Sequence, residues 1–270
     1  KRPVSLDLFP WFEYGAKLMA ELVLSDISVR FGGLQALTEV SFEVRPGQVV
    51  GLIGPNGAGK TTVFNVITGV YATCAGAATY DGTSILGLRP HQILARGIAR
   101  TFQNIRLFQN MTALENVMVA QHCRSKAKVL GAILRSPSQR REEARIRDKA
   151  MESLEFMGLA PKAHEVASNL AYGLQRRLEI ARALASEPKT ILLDEPAAGL
   201  NPAESKELME TIGRIAGLGV NVLMVEHDMK VVMGICDSIV VLDHGVLIAK
   251  GTPAEIRSDP AVIEAYLGHA

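Results

Sequence analysis

The chain has 270 residues, 48% of them hydrophobic and 21% charged, which is enough apolar material to bury a substantial core and excludes a disordered tail protein. Its 29 Lys and Arg against 28 Asp and Glu leave a formal net charge of +1. No global field is on offer to nucleic acid or anionic lipid, so specificity has to come from local sites.

Residues 1–18 hold the only Trp, Trp11, with two Phe, two Pro and no clear period. They read as an extension of unknown role, with Met19 as the expected start, and no continuous apolar stretch before a small-residue cleavage site argues for a secretory signal. The three cysteines, Cys74, Cys123 and Cys236, are far apart and form no CxxC pair. That usage points to a reducing, cytosolic setting rather than a disulfide framework. The most apolar tracts, such as Ile239 to Ala249, are interrupted by Asp243, His244 and Gly245 and fall short of the about 20 residues a membrane span needs.

From Leu22 to Arg45 apolar residues alternate (Ile27, Val29, Phe31, then Val40, Phe42, Val44) around Gly32-Gly33, predicting an antiparallel β layer. Val49-Val50-Gly51-Leu52-Ile53 is instead a short, continuous apolar run between Pro46-Gly47 and a glycine cluster, as expected of a parallel strand buried on both faces. Ile191-Leu192-Leu193, ending in acids, and Val220 to Val225, ending in Glu226-His227, read the same way. Between them, Asn201, Pro202 and Glu204 stand in the order of an N-cap, an N1 proline and an N3 acid, ahead of a Leu208, Ile212, Ile215 face. Strands alternating with helices predict an α/β core with a parallel sheet, whose ligands bind beyond the carboxyl ends of the strands. Residues from about 104 to 185 contain no comparable strand run and read as a helical insertion. Its charged stretch from Arg135 to Lys149 mixes both signs, the pattern of a solvated helix face, with a docking face as the alternative.

Gly54-Pro55-Asn56-Gly57-Ala58-Gly59-Lys60-Thr61 matches GxxxxGK[ST], follows the Val49–Ile53 strand and precedes a helical pattern with Val63, Val66 and Ile67. Glycines let the backbone aim several N–H groups at phosphate oxygens, and the helix N-terminus adds partial positive charge. Lys60 is then expected to neutralise the β- and γ-phosphates, and the Thr61 hydroxyl, next to Thr62, to help hold Mg²⁺. The strand Thr190 to Leu193 delivers Asp194 and Glu195 to its carboxyl end. Asp194 is placed to support Mg²⁺ through its water shell, and Glu195 to orient or deprotonate the attacking water. His227 follows the Val220–Val225 strand beside Glu226 and Asp228, and no two of the six histidines fall at metal-ligand spacing.

Leu170-Ala171-Tyr172-Gly173-Leu174-Gln175-Arg176-Arg177, shortly before Asp194-Glu195-Pro196, resembles the signature segment of ABC-transporter ATP-binding subunits. Gln103 after Arg100-Thr101-Phe102 is similar to the Q-loop glutamine, Ala198-Gly199-Leu200-Asn201 to the D-loop, and His227 to the switch histidine. In the family's order these motifs cover roughly residues 20 to 255. The resemblance implies a P-loop ATPase core over residues 19–270, with the helical subdomain at about 104–185 and C-terminal strands and helix at about 236–270. It implies ATP with Mg²⁺ as cofactors, Gln103 as a sensor of Mg²⁺ and water, and Phe31 stacked on adenine, although a strand-end phenylalanine alone is more often core. Two such subunits would pair head to tail, each nucleotide held between one phosphate loop and the partner's signature segment. There Ala171 and Gly173, at the start of a helix expected near Gln175, would offer backbone donors to the γ-phosphate. Ala171 lacks the hydroxyl and Leu174 the polar group of the common Leu-Ser-Gly-Gly-Gln form, which puts those two contacts in doubt.

The implied assembly is a homo- or heterodimer on the cytoplasmic face of the inner membrane, gripping permease subunits through the helical insertion and serving a periplasmic binding protein indirectly. Asn169 to Gly173, Pro196 to Pro202, Val225 to Lys230 and Val262 to Gly268 resemble the corresponding stretches of branched-chain amino-acid importers. Amide or urea importers and lipopolysaccharide exporters stand as alternatives. A soluble member of the family acting on nucleic acid or ribosomes would normally carry a coiled-coil insertion or tandem cassettes, and neither is seen here.

Overall fold

The computed structural model describes residues 21–121 and 137–267, without the side chains of 137–139 and 267. The N-terminal extension, the expected start at Met19 and Cys123 lie outside the described residues. Those described form two compact units, residues 21–103 with 189–267, and residues 104–121 with 137–188.

The first unit stacks two sheets. Strands β1 (Leu22–Phe31), β2 (Leu34–Val44), β4 (Ala75–Tyr80) and β5 (Thr83–Ser84) pair antiparallel in the order β2-β1-β4-β5. Strands β3 (Val49–Ile53), β6 (Ile98–Arg100), β7 (Thr190–Asp194), β8 (Asn221–Val225), β9 (Ser238–Asp243) and β10 (Val246–Gly251) form the second sheet in the order β10-β9-β3-β8-β7-β6. All its pairings are parallel except that of β10, which turns back along β9 at the edge. Every residue of β3, β7 and β8 is buried, as continuous apolar runs require in a sheet covered on both faces. Helix α1 (Lys60–Ile67) sends Val63, Phe64, Val66 and Ile67 into one apolar cluster with Leu24, Ile27 and Val29 of β1 and Leu52, Leu192, Leu223 and Leu242 of the parallel sheet. That packing fixes where the β3-to-α1 loop and the carboxyl ends of β7 and β8 lie.

Helix α2 (Pro90–Arg96) precedes β6, and α6 (Pro202–Gly217) connects β7 to β8. The predicted cap of α6 forms as read: the Asn201 side chain accepts the N–H groups of Ala203 and Glu204, both at 3.0 Å, and Glu204 returns a bond to the Asn201 N–H. Leu208, Ile212 and Ile215 are fully buried beneath it. Helices α7 (Met229–Ile235), α8 (Pro253–Ser258) and α9 (Pro260–Leu267) complete the unit.

The second unit packs α3 (Ala113–Gln121), α4 (Pro137–Phe156) and α5 (Tyr172–Ala185) on one another, with Leu154, Leu159, Leu178 and Ala181 buried among them. Its interior also holds charge: Arg176 and Glu179, each 1% exposed, pair at 3.4 Å on α5. Buried Asn116 ties down the segment before α3, accepting the Phe108 N–H at 2.9 Å and donating to the Phe108 and Thr112 carbonyls, each at 3.0 Å. Helix α5 starts at Tyr172, three residues ahead of the expected Gln175, because the Ala171 carbonyl takes the N–H of both Leu174 and Gln175. Among the described residues no helix is long and apolar enough to cross a membrane.

Candidate functional site

The glycine-rich loop runs from the end of β3 into α1, and its shape depends on residues without side chains. Gly54 takes φ +150°, and a Cβ there would stand 2.0 Å from the Leu242 carbonyl oxygen; at Gly59, φ +102°, it would meet Leu37 at 2.7 Å. A side chain at Gly54 would have to move the β9 backbone, and one at Gly59 would displace the Leu37 side chain and strain a left-handed backbone. Gly59 caps α1 without a side chain, and Val63 is the first N–H to close on it, at 3.0 Å. The N–H groups of Lys60, Thr61 and Thr62 are thus the orphan donors of a helix start, the feature that makes such a terminus an anion site. The Ala58 N–H closes on the Pro55 carbonyl and the Ala58 carbonyl accepts from Gly245, so the loop is anchored to the turn between β9 and β10. Lys60 Nζ donates to the Gly54 and Pro55 carbonyls at 2.6 and 2.8 Å. Half-burial lowers the affinity of this ammonium for its proton, and the charges of Glu195 and Asp194 oppose that loss.

At the neighbouring strand ends three predicted residues meet. Gln103 Nε2 donates to Glu195 Oε2 at 3.0 Å, and His227 Nδ1 lies 3.8 Å from the same oxygen. Both flanking groups are exposed while Glu195 is about one-fifth exposed, so the carboxylate sits at the floor of an accessible site. Its backbone is unusual: Glu195 has φ +48°, which a residue with a Cβ adopts only when its surroundings hold it there.

Asp194 is nearly buried and pairs through Oδ2 with Arg100 at 3.0 Å. The same guanidinium donates to Asn65 Oδ1 at 2.7 Å and Thr68 Oγ1 at 3.3 Å, and lies over the rings of Phe64 and Phe102. Arg100 therefore locks α1, β6 and β7 together directly beneath the site. Nothing in the sequence pattern singles it out; the one available signal is a cation closing an apolar strand three residues before Gln103. Thr61, Asp194 and Gln103 carry hydroxyl, carboxylate and amide oxygens, hard donors of the kind that suit magnesium.

Phe31 ends β1 nearly half exposed and meets Tyr71 edge to face, with ring centroids 4.9 Å apart. Tyr71 has no sequence motif of its own. Tyr266 on α9 is a second such residue: burial raises its phenol, and the Gly54 N–H, at the first position of the loop, holds it down. Ala171 and Gly173 open α5 in the other unit; Ala171 and Tyr172 are exposed, and Leu174 is half-buried above buried Leu178.

Residues 37–198 match the ABC transporter family, and residues 246–270 match a family described as branched-chain amino acid ATP-binding cassette transporter. The chain is 50% identical over 250 residues to the high-affinity branched-chain amino acid transport ATP-binding protein LivG of Salmonella typhimurium, covering 92% of this chain and 98% of that one. It is 49% identical, with the same coverage, to BraF of Pseudomonas aeruginosa, which carries the same description. Among solved structures, the ADP conformation of MJ1267, an ATP-binding cassette of an ABC transporter, superposes with a TM-score of 0.81 at 32% identity, covering 93% of this chain and all of that one. The chain belongs to the ABC transporter family, as an ATP-binding subunit whose hydrolysis of ATP powers transport.

Proposed function

We propose that the chain drives import of branched-chain amino acids by binding MgATP at residues 54–62 and cleaving it with Glu195 as the general base. The observation that carries the reading is the convergence of Gln103 and His227 on one carboxylate oxygen of Glu195. A water beside that oxygen would be polarised by the carboxylate, while the Gln103 amide and the His227 imidazole steer it and contact the γ-phosphate. Lys60 and the N–H groups at the start of α1 take the phosphate charge. Thr61, Asp194 and Gln103 would hold the magnesium, which would supply positive charge against the phosphates. Phe31 stacks on the adenine, with Tyr71 fixing its ring.

A second ATP-binding subunit, identical or related, completes each site by presenting the start of its own α5, where Ala171 and Gly173 lend backbone donors. Closure around ATP and reopening after cleavage would then be the working cycle. The permease subunits dock on the helical unit, where Phe108 and Met111 stand exposed from the segment that Asn116 holds. This arrangement places the subunit peripherally, on the cytoplasmic face of the inner membrane, with the periplasmic binding protein on the far side and no nucleic acid involved. The cargo rests on the identity to LivG and BraF and on the match of the C-terminal strand and helices.

Glu195→Gln tests the chemistry. It should still bind MgATP, lose turnover about 10²–10⁴-fold and collect as an ATP-bound dimer on size exclusion. Turnover near the parent rate would remove Glu195 as the base. Uptake of labelled amino acids after reconstitution with permease and binding protein tests the cargo; uptake of amides or urea instead would reassign it.

A further inference from the structure

The acid before His227 is 1% exposed, and the chemistry above gives it no task. Its two oxygens face different loops. Glu226 Oε1 accepts the Ala197 N–H at 2.8 Å, and Oε2 accepts the His227 N–H at 3.2 Å; the Asp228 N–H also bonds to the carboxylate. Ala197 stands two residues after Glu195, and the Glu195 N–H itself closes on the Val225 carbonyl at 2.9 Å. The loop after β7 is therefore fastened to the carboxyl end of β8 at two points, through the N–H of left-handed Glu195 and that of Ala197.

We infer that Glu226 is a positioning residue of the hydrolytic centre, a carboxylate strap that holds the loop after Glu195 and the loop of His227 in one fixed register. The residue type follows from the donors. Two amides from two loops converge on one side chain, so both ends must accept. A glutamine turns one end into a donor against an N–H, and a threonine has a single oxygen. Burial pushes the carboxyl toward its neutral form, while the three backbone N–H groups and the His227 charge pull it back. His227 Nδ1 lies 4.0 Å from Oε2 and 3.8 Å from Glu195, so both carboxylates bear on the same imidazole. A strained φ at a reacting residue persists only where the surroundings over-determine it, and the strap supplies part of that constraint.

The inference rests on Glu195 as the base, so Glu226→Gln and Glu195→Gln are compared in the full chain. Glu226→Gln fills the same volume and keeps one acceptor. It should retain parent affinity for a fluorescent ATP analogue within about threefold, while kcat falls about 10- to 100-fold, the loss that a misplacement near 1 Å produces. In amide exchange, Ala197 or His227 should lose protection while Leu223 inside β8 keeps its own. In the Glu195→Gln background the second change should cost almost nothing more, because the two act as a unit. A Glu226→Gln chain with parent kcat, beside an inactive Glu195→Gln, would overturn the strap alone. Losses of kcat, nucleotide affinity and Leu223 protection in step would overturn it in favour of a purely structural acid. Parent turnover in Glu195→Gln would remove the base assignment and the strap with it.

Discussion

The two units of the chain are built on different interiors. Beneath the phosphate loop the core is aliphatic, and the strands that end in Asp194, Glu195 and Glu226 are buried at every position. In the helical unit the helix that carries the signature segment is seated partly on charge: Glu179 pairs with Arg176 and also with Arg182 at 3.7 Å, and accepts the Arg106 N–H at 3.3 Å. Apolar packing is dense and resists displacement, which suits a floor whose reacting atoms must not drift. A buried ionic network contributes little net stability yet tolerates few alternative pairings, which suits a helix whose first turn is proposed to face another subunit. The rigid floor and the addressed helix thus meet different demands with different chemistry.

The largest break in this comparison comes from a buried charge pair in the aliphatic unit, Arg100 with Asp194. Arg100→Met keeps the packing between Phe64 and Phe102 but leaves Asp194 as a buried, unpaired carboxylate. The expected cost is about 3–5 kcal/mol, read by urea denaturation, with protection lost first at β6 and β7 in hydrogen exchange. Arg100→Lys should recover part of it, since an ammonium restores charge without the fork that reaches Asp194, Asn65 and Thr68 at once. If Arg100→Met unfolds like the parent, the guanidinium is not what holds Asp194.

A smaller effect is expected in the helical unit. Glu179→Gln keeps an acceptor for the Arg106 N–H but removes the charge shared by Arg176 and Arg182, for about 1–3 kcal/mol. The loss should appear in amide protection of α5 and leave β7 and β8 unchanged. Burial already lowers the Arg182 guanidinium, and Glu179 offsets that, so the neutral variant leaves a desolvated cation with less support. Equal loss of protection in β7 would mean that the two interiors do not differ as described.

How much of this was readable in the sequence follows from the same contrast. Strands β3, β7 and β8 were legible because burial on both faces writes itself as an unbroken apolar run, and α6 because Asn201, Pro202 and Glu204 make their cap within four residues. Gly54 and Gly59 were legible through spacing alone. Arg100 was not: its partners Asn65 and Asp194 lie 35 and 94 residues away, and only the folded sheet turns an ordinary strand-end cation into a buried one. The same holds for the positive φ of Glu195, which no local residue preference announces, and for Glu226, which beside His227 reads as one more solvated acid. The start of α5 was misplaced by three residues because Gly173, a weak helix former, sits inside the first turn that the Ala171 carbonyl closes.

The smallest expected effect separates the two kinds of helix end within the first unit. Both α6 and α8 begin with a capping box, Asn201 with Glu204 and Thr252 with Glu255. In α6 the cap closes a sixteen-residue helix seated on buried Leu208 and Ile212, and Asn201→Ala should cost about 1 kcal/mol in global unfolding. Helix α8 has six residues, and its cap shows itself in titration instead. The Thr252 N–H and hydroxyl hold the Glu255 carboxyl below its ordinary range. A carboxylate depressed in the folded state contributes stability above its unfolded pKa and loses it as the pH falls through the folded one. Thr252→Ala should therefore move the Glu255 carboxyl upward in an NMR titration and flatten the acid side of the stability profile, with neutral-pH turnover unchanged. An unmoved Glu255 would mean that its bond to the Thr252 hydroxyl does not persist in solution, because alanine keeps the backbone N–H that is the larger cause of the depression.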